Sequence, residues 1–108
     1  MFIDLQRAFT PEEMAEDECA LCAHDFRTES VIAFAETNGR TEIGRICPEC
    51  LEYFGRINPE YYPTIEVYQE LLEHYPQPIW KSGEDMERAE EEGFAAAYAA
   101  SWLYRTPA

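Results

Sequence analysis

The sequence is poor in positive charge. Lys and Arg account for 8 of its 108 residues, against 22 Asp and Glu, so the formal net charge at pH 7 is −14. Basic side chains that neutralise phosphates supply most of the affinity of duplex-binding proteins. The charge balance therefore disfavours general nucleic-acid binding, although it leaves room for a local arginine face.

A long hydrophobic run and a leader-like N-terminus are also lacking. The longest nearly unbroken apolar run covers residues 93–103, well below the roughly 20 residues that a bilayer-spanning helix needs. The N-terminal stretch MFIDLQRAF carries an early acidic residue and no basic region ahead of an apolar one, which is not typical of a signal peptide. We therefore expect a cytoplasmic protein with no membrane segment, in which thiols stay reduced.

All four cysteines fall in two C-x-x-C motifs, Cys19–Cys22 and Cys47–Cys50. This pattern allows a single metal with four ligands, two disulfides, or a redox pair beside unrelated thiols. A thioredoxin-type redox motif would need a βαβ context that the sequence does not show. Zinc takes four tetrahedral ligands, and two thiolates three positions apart supply two of them from one turn.

The pattern predicts one structural Zn²⁺ held by these four cysteines, with iron in the same ligands as the alternative. The two histidines are not expected to bind it. His24 is predicted to lie beside the site, and His74 is predicted to complement a helix C-terminus. A site closed by four thiolates has no open position for substrate, and no other catalytic constellation stands out, so we predict that the protein is not an enzyme.

Local patterns predict the elements around the cysteines. MFIDLQRAF has the apolar content of a strand, and Thr10-Pro11 with Glu13 indicates a helix start with a capping box. Asn38-Gly39 is typical of a two-residue hairpin turn, which would place Phe34 opposite Ile43. The other face of this hairpin, with Val31 opposite Ile46 and Ala33 opposite Gly44, is small enough for a helix or a second copy to press against it. The stretch from Pro48 predicts a helix that Gly55 ends.

The C-terminal half is predicted to be helical. Residues 64–75 form an amphipathic pattern, and PQPIW then indicates an extended stretch. One long helix is expected from Glu84 to Tyr104, acidic first and apolar afterwards, with its apolar half buried in this chain or against a partner. The fold class is α+β: a knuckle, a β-hairpin and a helix, followed by two further helices. We expect a single domain over 1–108, with a zinc module at 19–57 and a helical extension at 58–108.

The order of knuckle, hairpin and C-x-x-C at a helix start is the layout of a treble-clef zinc finger. The residues of this layout that match a known domain are Cys19, Cys22, Ile46, Cys47, Glu49 and Cys50. Through them, residues 19–57 resemble the N-terminal zinc-binding domain of the ClpX unfoldase. The resemblance implies a module that dimerises and holds protein partners or adaptors; no Walker A sequence follows, so it implies no ATPase. HNH nucleases, another treble-clef group, need histidines that RTEIGRICPEC lacks.

The distribution of charge separates two functional hypotheses. Residues 19–56 hold six acidic and four basic residues, whereas the flanks hold sixteen acidic and four basic ones. The first hypothesis is a non-enzymatic zinc-binding module that interacts with another protein as an adaptor, regulator or inhibitor. The partner could present a basic surface, and the module could also form a homodimer. The alternative is a nucleic-acid-binding zinc finger using the arginines Arg27, Arg40, Arg45 and Arg56.

Overall fold

A computed structural model describes residues 1–39, 41–93 and 95–104. The chain forms an α+β fold with two antiparallel sheets. In chain order the elements are β1 (Phe2–Arg7), a 3-10 turn (Pro11–Glu13), β2 (Glu16–Glu18), β3 (Asp25–Arg27), β4 (Val31–Glu36), β5 (Glu42–Ile46), α1 (Pro48–Ile57), α2 (Ile65–His74), α3 (Gly83–Glu92), α4 (Ala95–Ser101) and β6 (Trp102–Tyr104).

The main sheet has four strands in the order β5–β4–β1–β6. Strand β1, which the apolar N-terminal stretch predicts, lies inside this sheet and pairs with β4 along its whole length, from Phe2 opposite Glu36 to Arg7 opposite Val31. Strands β2 and β3 form a separate two-stranded sheet. Segments on both sides of residues 19–57 therefore contribute strands to the same sheet as the predicted hairpin.

The β4–β5 hairpin forms, but its predicted register is wrong. Phe34 lies opposite Arg45 instead of Ile43, and the pairing shifts at Ala35/Glu36. The connection is longer than a two-residue turn, because the Thr37 amide donates to the Thr41 carbonyl at 2.9 Å. Gly44 has φ +151°, a backbone conformation that residues other than glycine rarely adopt. This glycine therefore accommodates the irregular pairing.

One face of the main sheet forms the core. Alternate residues of β1 and β4 point to this face, and Leu51 of α1 and Tyr68 of α2 pack into the same cluster. Helix α2 lies against β4, so a helix of the same chain covers the small-residue face of the hairpin. The buried members of the cluster are Ile3, Leu5, Cys19, Val31, Ala33, Ala35, Ile46, Cys47, Leu51 and Tyr68.

Two predicted helix boundaries are wrong. After Thr10 the chain makes only the 3-10 turn, and the Thr10 side chain accepts no capping hydrogen bond; pairing of β2 with β3 prevails over the local helix signal. Helix α1 continues past Gly55 to Ile57. A Cβ atom on Gly55 would lie 2.8 Å from the Pro63 carbonyl oxygen, so this glycine permits close passage of the segment before α2.

Helix α2 follows its prediction closely. The Thr64 hydroxyl accepts a hydrogen bond from the Val67 amide at 3.4 Å, which caps the helix. The segment after it, residues 76–80, is predicted to be extended; it belongs to neither a helix nor a strand and bends at Gln77 and Ile79. It runs beside the end of β1, where the Ile79 amide donates to the Ala8 carbonyl at 2.9 Å.

The predicted single helix over 84–104 is wrong. Helix α3 ends at Glu92, Gly93 follows with φ +89°, and α4 ends at Ser101. Strand β6 then pairs with β1, with Gln6 opposite Trp102. An open edge of β1 offers hydrogen-bonding groups that a strand satisfies and a helix cannot. The fold thus has two helices and a strand where one helix was expected.

No described helix combines the length and the apolar composition that are needed to cross a bilayer.

Candidate metal centre

The first C-x-x-C motif occupies the turn of the β2–β3 hairpin. These strands pair from Glu16 opposite Arg27 to Glu18 opposite Asp25. At the end of the hairpin the Cys19 amide donates to the His24 carbonyl at 2.9 Å. Within the turn the Ala23 amide donates to the Cys19 carbonyl at 2.9 Å, and Ala23 has φ +62°. The chain therefore folds back tightly enough to bring the first two thiols together.

The second motif begins helix α1. Cys47 is the N-cap residue with extended backbone angles, and Pro48 occupies the first helical position, where a proline costs no hydrogen bond. Cys50 therefore lies in the first helical turn. Free amides and the positive end of the helix dipole favour thiolates at such a position.

Contacts between the knuckle and β5 bring the two motifs together. The Ala20 amide donates to the Arg45 carbonyl at 2.9 Å, and a Cβ atom on Gly44 would lie 3.0 Å from the Ala20 Cβ. The peptide that follows Arg45 leads directly into Cys47. The position of β5 beside the knuckle therefore determines the distance between the two pairs of thiols.

Arg45 also connects this region to the segment before the knuckle. Its Nη1 donates to the Glu13 carbonyl at 3.1 Å. Its guanidinium lies 3.8 Å from a Glu13 carboxylate oxygen and 3.6 Å from one of Asp17. Because these groups are only partly exposed, we interpret Arg45 as a structural link between β5, the 3-10 turn and β2.

The four sulfur atoms lie within 4.8 Å of one another. The Cys19 and Cys50 sulfurs are 3.7 Å apart, and those of Cys22 and Cys47 are 3.6 Å apart. A disulfide requires about 2.05 Å, so the thiols are not paired covalently. Zinc–sulfur bonds of about 2.3 Å in a tetrahedron imply sulfur–sulfur distances of about 3.8 Å. The spacing of the donor atoms therefore fits one tetrahedral metal ion.

Burial raises the pKa values of the cysteine thiols, and hydrogen bonds from backbone amides lower them. Burial would raise the pKa of Cys19, but the amides of Cys22, Cys47 and Leu21 donate to its sulfur and lower its pKa to about 6. The Cys47 amide contributes at 3.3 Å. Burial raises the pKa values of Cys47 and Cys50, and the neighbouring thiols raise that of Cys50 further. At Cys47 and Cys50 burial thus outweighs the favourable position at the start of α1, so a metal ion bound there would displace protons from these two thiols.

The four predicted ligands are brought together, and the histidines are not among them. Among the described residues, three or more potential metal-binding side chains come close enough to share an ion at one place, the cluster of these four cysteines. His24 is exposed beside the site, and His74 is exposed at the end of α2 with its ring 6.4 Å from that of Tyr75. The roles that the sequence predicts for these two histidines stay predictions.

Two of the arginines of the alternative hypothesis contact carboxylates. Arg45 forms ion pairs with two acidic side chains, and Arg56 donates to Glu52 at 2.8 Å. Arg27 is exposed and lies opposite an acidic residue of β2. Arg40 lies outside the described residues.

Sequence reasoning missed the short β2–β3 hairpin and the part played by Arg45. A tight C-x-x-C turn needs its two flanking segments to run antiparallel, and this requirement could have indicated strands on either side of Cys19–Cys22. The contacts of Arg45 with the segment before the knuckle have no comparable local signal.

Comparison with family models, with curated proteins and with solved structures gave no match. The resemblance to the ClpX domain therefore rests on the motif residues alone. The geometry of the cysteine cluster is the strongest indication of what the chain can bind.

Proposed function

We propose that this protein is a non-enzymatic zinc-binding module that interacts with another protein as an adaptor, regulator or inhibitor. The observation that carries the proposal is the cluster of four thiols, with sulfur–sulfur distances of 3.6 and 3.7 Å across the two motifs. One structural Zn²⁺ would be held by Cys19, Cys22, Cys47 and Cys50. Iron in the same ligands is the alternative ion.

The surrounding structure supports a treble-clef arrangement. A turn supplies two thiols, a β-hairpin follows, and the N-terminus of a helix supplies the other two. Cys19 and Cys47 are buried, which is typical of a structural ion. Because reduced thiols are required, we place the protein in the cytoplasm.

A stabilising role for the ion is favoured over a catalytic one. Four thiolates fill the tetrahedral coordination sphere and leave no position for water or substrate. The ion would fix the knuckle against α1, and its binding free energy would contribute to folding. The function then depends on the surface that the site holds in place.

A protein partner is favoured over a nucleic acid by the charges around the arginines. Phosphate binding needs free basic side chains, whereas Arg45 and Arg56 already contact carboxylates. The net charge of −14 would also repel a polyanion. The same charge is compatible with a partner that presents a basic surface.

Metal analysis and affinity capture test the two parts of the proposal. We expect one zinc per chain in protein purified without added metal, and a content far below one metal per chain would contradict the metal site. Capture from an extract of the source cells, before and after nuclease treatment, should retain a protein partner in both cases. Recovery of nucleic acid alone, or tight duplex binding at physiological salt, would support the alternative function.

A further inference from the structure

A cleft lies between the knuckle hairpin and the first turn of α1. Its volume is about 500 Å³, and Phe26 and Pro48 supply its apolar surface. Asp25 and Glu49 are exposed at the cleft, and neither forms an ion pair within the described part of the chain. The lining residues are His24, Asp25, Phe26, Cys47, Pro48 and Glu49.

An exposed apolar face of α1 continues from this cleft. Glu49, Tyr53 and Ile57 follow one another at four-residue spacing, so they lie along one side of the helix. Tyr53 is 57% exposed and Ile57 is 49% exposed, which is high for large apolar side chains. Glu49 thus belongs both to the cleft and to this face.

Ring contacts hold the aromatic part of the face in place. The Tyr53 ring meets Phe54 edge to face at 5.4 Å, and Phe54 meets Tyr62 at 5.8 Å. The Tyr62 hydroxyl donates to the Met1 carbonyl at 2.9 Å, which connects the row of rings to the start of β1. A surface that is already ordered loses little conformational entropy when it binds.

We propose that the cleft and the Tyr53–Ile57 face form one docking surface for a basic polypeptide segment. The inference rests on the proposed protein-binding function and specifies the chemistry of the partner. A Lys or Arg side chain would enter the cleft between Asp25 and Glu49, with its aliphatic stem against Phe26 and Pro48. An apolar side chain of the same segment would cover Tyr53 and Ile57.

Charge complementarity selects this occupant over the others. The two cleft carboxylates are available for a cation, whereas they would repel a phosphate backbone. A second copy of the chain carries the same net charge of −14 and would bring more carboxylates to the surface. A basic segment with apolar side chains matches both the charge of the cleft and the exposed Tyr53 and Ile57 side chains.

Peptide binding to the zinc-loaded full chain tests the docking surface. Three short labelled peptides serve as probes: arginine alternating with leucine, glutamate alternating with leucine, and arginine alternating with serine. Fluorescence anisotropy should show the tightest binding for the arginine–leucine peptide and weakening as salt rises. Absence of binding by that peptide, or equal binding by the glutamate–leucine peptide, would overturn the proposal.

Matched variants locate the contact. The double variant Asp25→Asn/Glu49→Gln should weaken binding of the arginine–leucine peptide by about fivefold or more, and Ile57→Ser by about three- to tenfold. The controls are Glu70→Gln, on the exposed side of α2, and Ile43→Ser, which removes an isoleucine that is 45% exposed on β5. Equal losses in variants and controls would contradict this surface, provided that zinc content and circular dichroism are unchanged.

Affinity capture from an extract of the source cells separates this inference from the proposed function. If wild-type protein and an Asp25→Asn/Glu49→Gln/Ile57→Ser variant retain the same partner equally well, the docking surface is wrong and the protein-binding function stands. If the wild type retains no protein at all, the proposed function itself fails.

Discussion

Replacement of Gly55 by alanine sets helix propensity against tertiary packing. Gly55 lies inside α1, where the intrinsic propensity of alanine over glycine would stabilise the helix by about 1 kcal/mol. An added Cβ would lie 2.8 Å from the Pro63 carbonyl oxygen and 3.0 Å from the Thr64 Cα. Both neighbours are backbone atoms and cannot turn aside as a flexible side chain can.

The packing cost should exceed the propensity gain. Inserting a methyl group into a tightly packed contact costs about 1–3 kcal/mol, and a rigid backbone places this site toward the upper end. The expected net loss, after the propensity gain is subtracted, is about 1–2 kcal/mol. For a domain of this size, each kcal/mol lowers Tm by about 4 °C or more.

Thermal unfolding of the zinc-loaded protein measures this difference. The matched control is Gly39→Ala, because Gly39 has the Thr37 hydroxyl at 3.8 Å as the nearest atom to an added Cβ and should be neutral or slightly stabilised. Under the same conditions Gly55→Ala should unfold at a lower temperature than wild type. A Tm at or above the wild-type value would refute the argument that α1 and the Pro63–Thr64 segment are in close contact.

Two further predictions concern the metal centre and the core. Cys47→Ser should abolish stoichiometric zinc binding and most of the cooperative unfolding transition, because metal binding is coupled to folding; an unchanged melting curve would contradict this. Burial, together with the charge of Glu29, raises the pKa of Tyr68 from 10 to about 12. As pH rises, the unfolded state loses the Tyr68 proton before the folded state does. The contribution of Tyr68 to the free energy of unfolding should therefore be fully present below pH 10 and fall by up to about 2–3 kcal/mol between pH 10 and 12. Tyr68→Phe should remove that part of the loss of stability at alkaline pH. Tyr61→Phe, at an exposed position, should not. Equal pH profiles of stability for the two variants would argue against the effect.

The cysteine cluster was the most predictable part of the molecule. Two C-x-x-C motifs, a turn signal between them and Pro48 after Cys47 are local features, and each constrains the chain over a few residues. Their convergence could be inferred because zinc chemistry requires four ligands. Most of the docking surface was not predicted, because the cleft combines residues of β3 and α1 that only the position of β5 beside the knuckle brings together.

Boundaries and registers were less predictable because they depend on distant contacts. Thr10-Pro11 carries a helix signal, yet the chain forms β2 because Glu16–Glu18 pairs with Asp25–Arg27. Gly55 has the chemistry of a helix terminator, yet it remains helical, and the segment at Pro63 passes close to it. In both cases a residue with two compatible local conformations takes the one that its tertiary neighbours require.

Local sequence features predicted the four clustered thiols, the existence of β1, the β4–β5 hairpin and α2, and the acidic character of the chain. These features depend on side-chain chemistry and on periodicities of a few residues. The register of the hairpin, the division of the C-terminal segment at Gly93 and the addition of β6 to the edge of β1 depend on tertiary contacts. Backbone groups at a sheet edge must find hydrogen-bond partners, and the edge of β1 finds them in β6, almost a full chain length away.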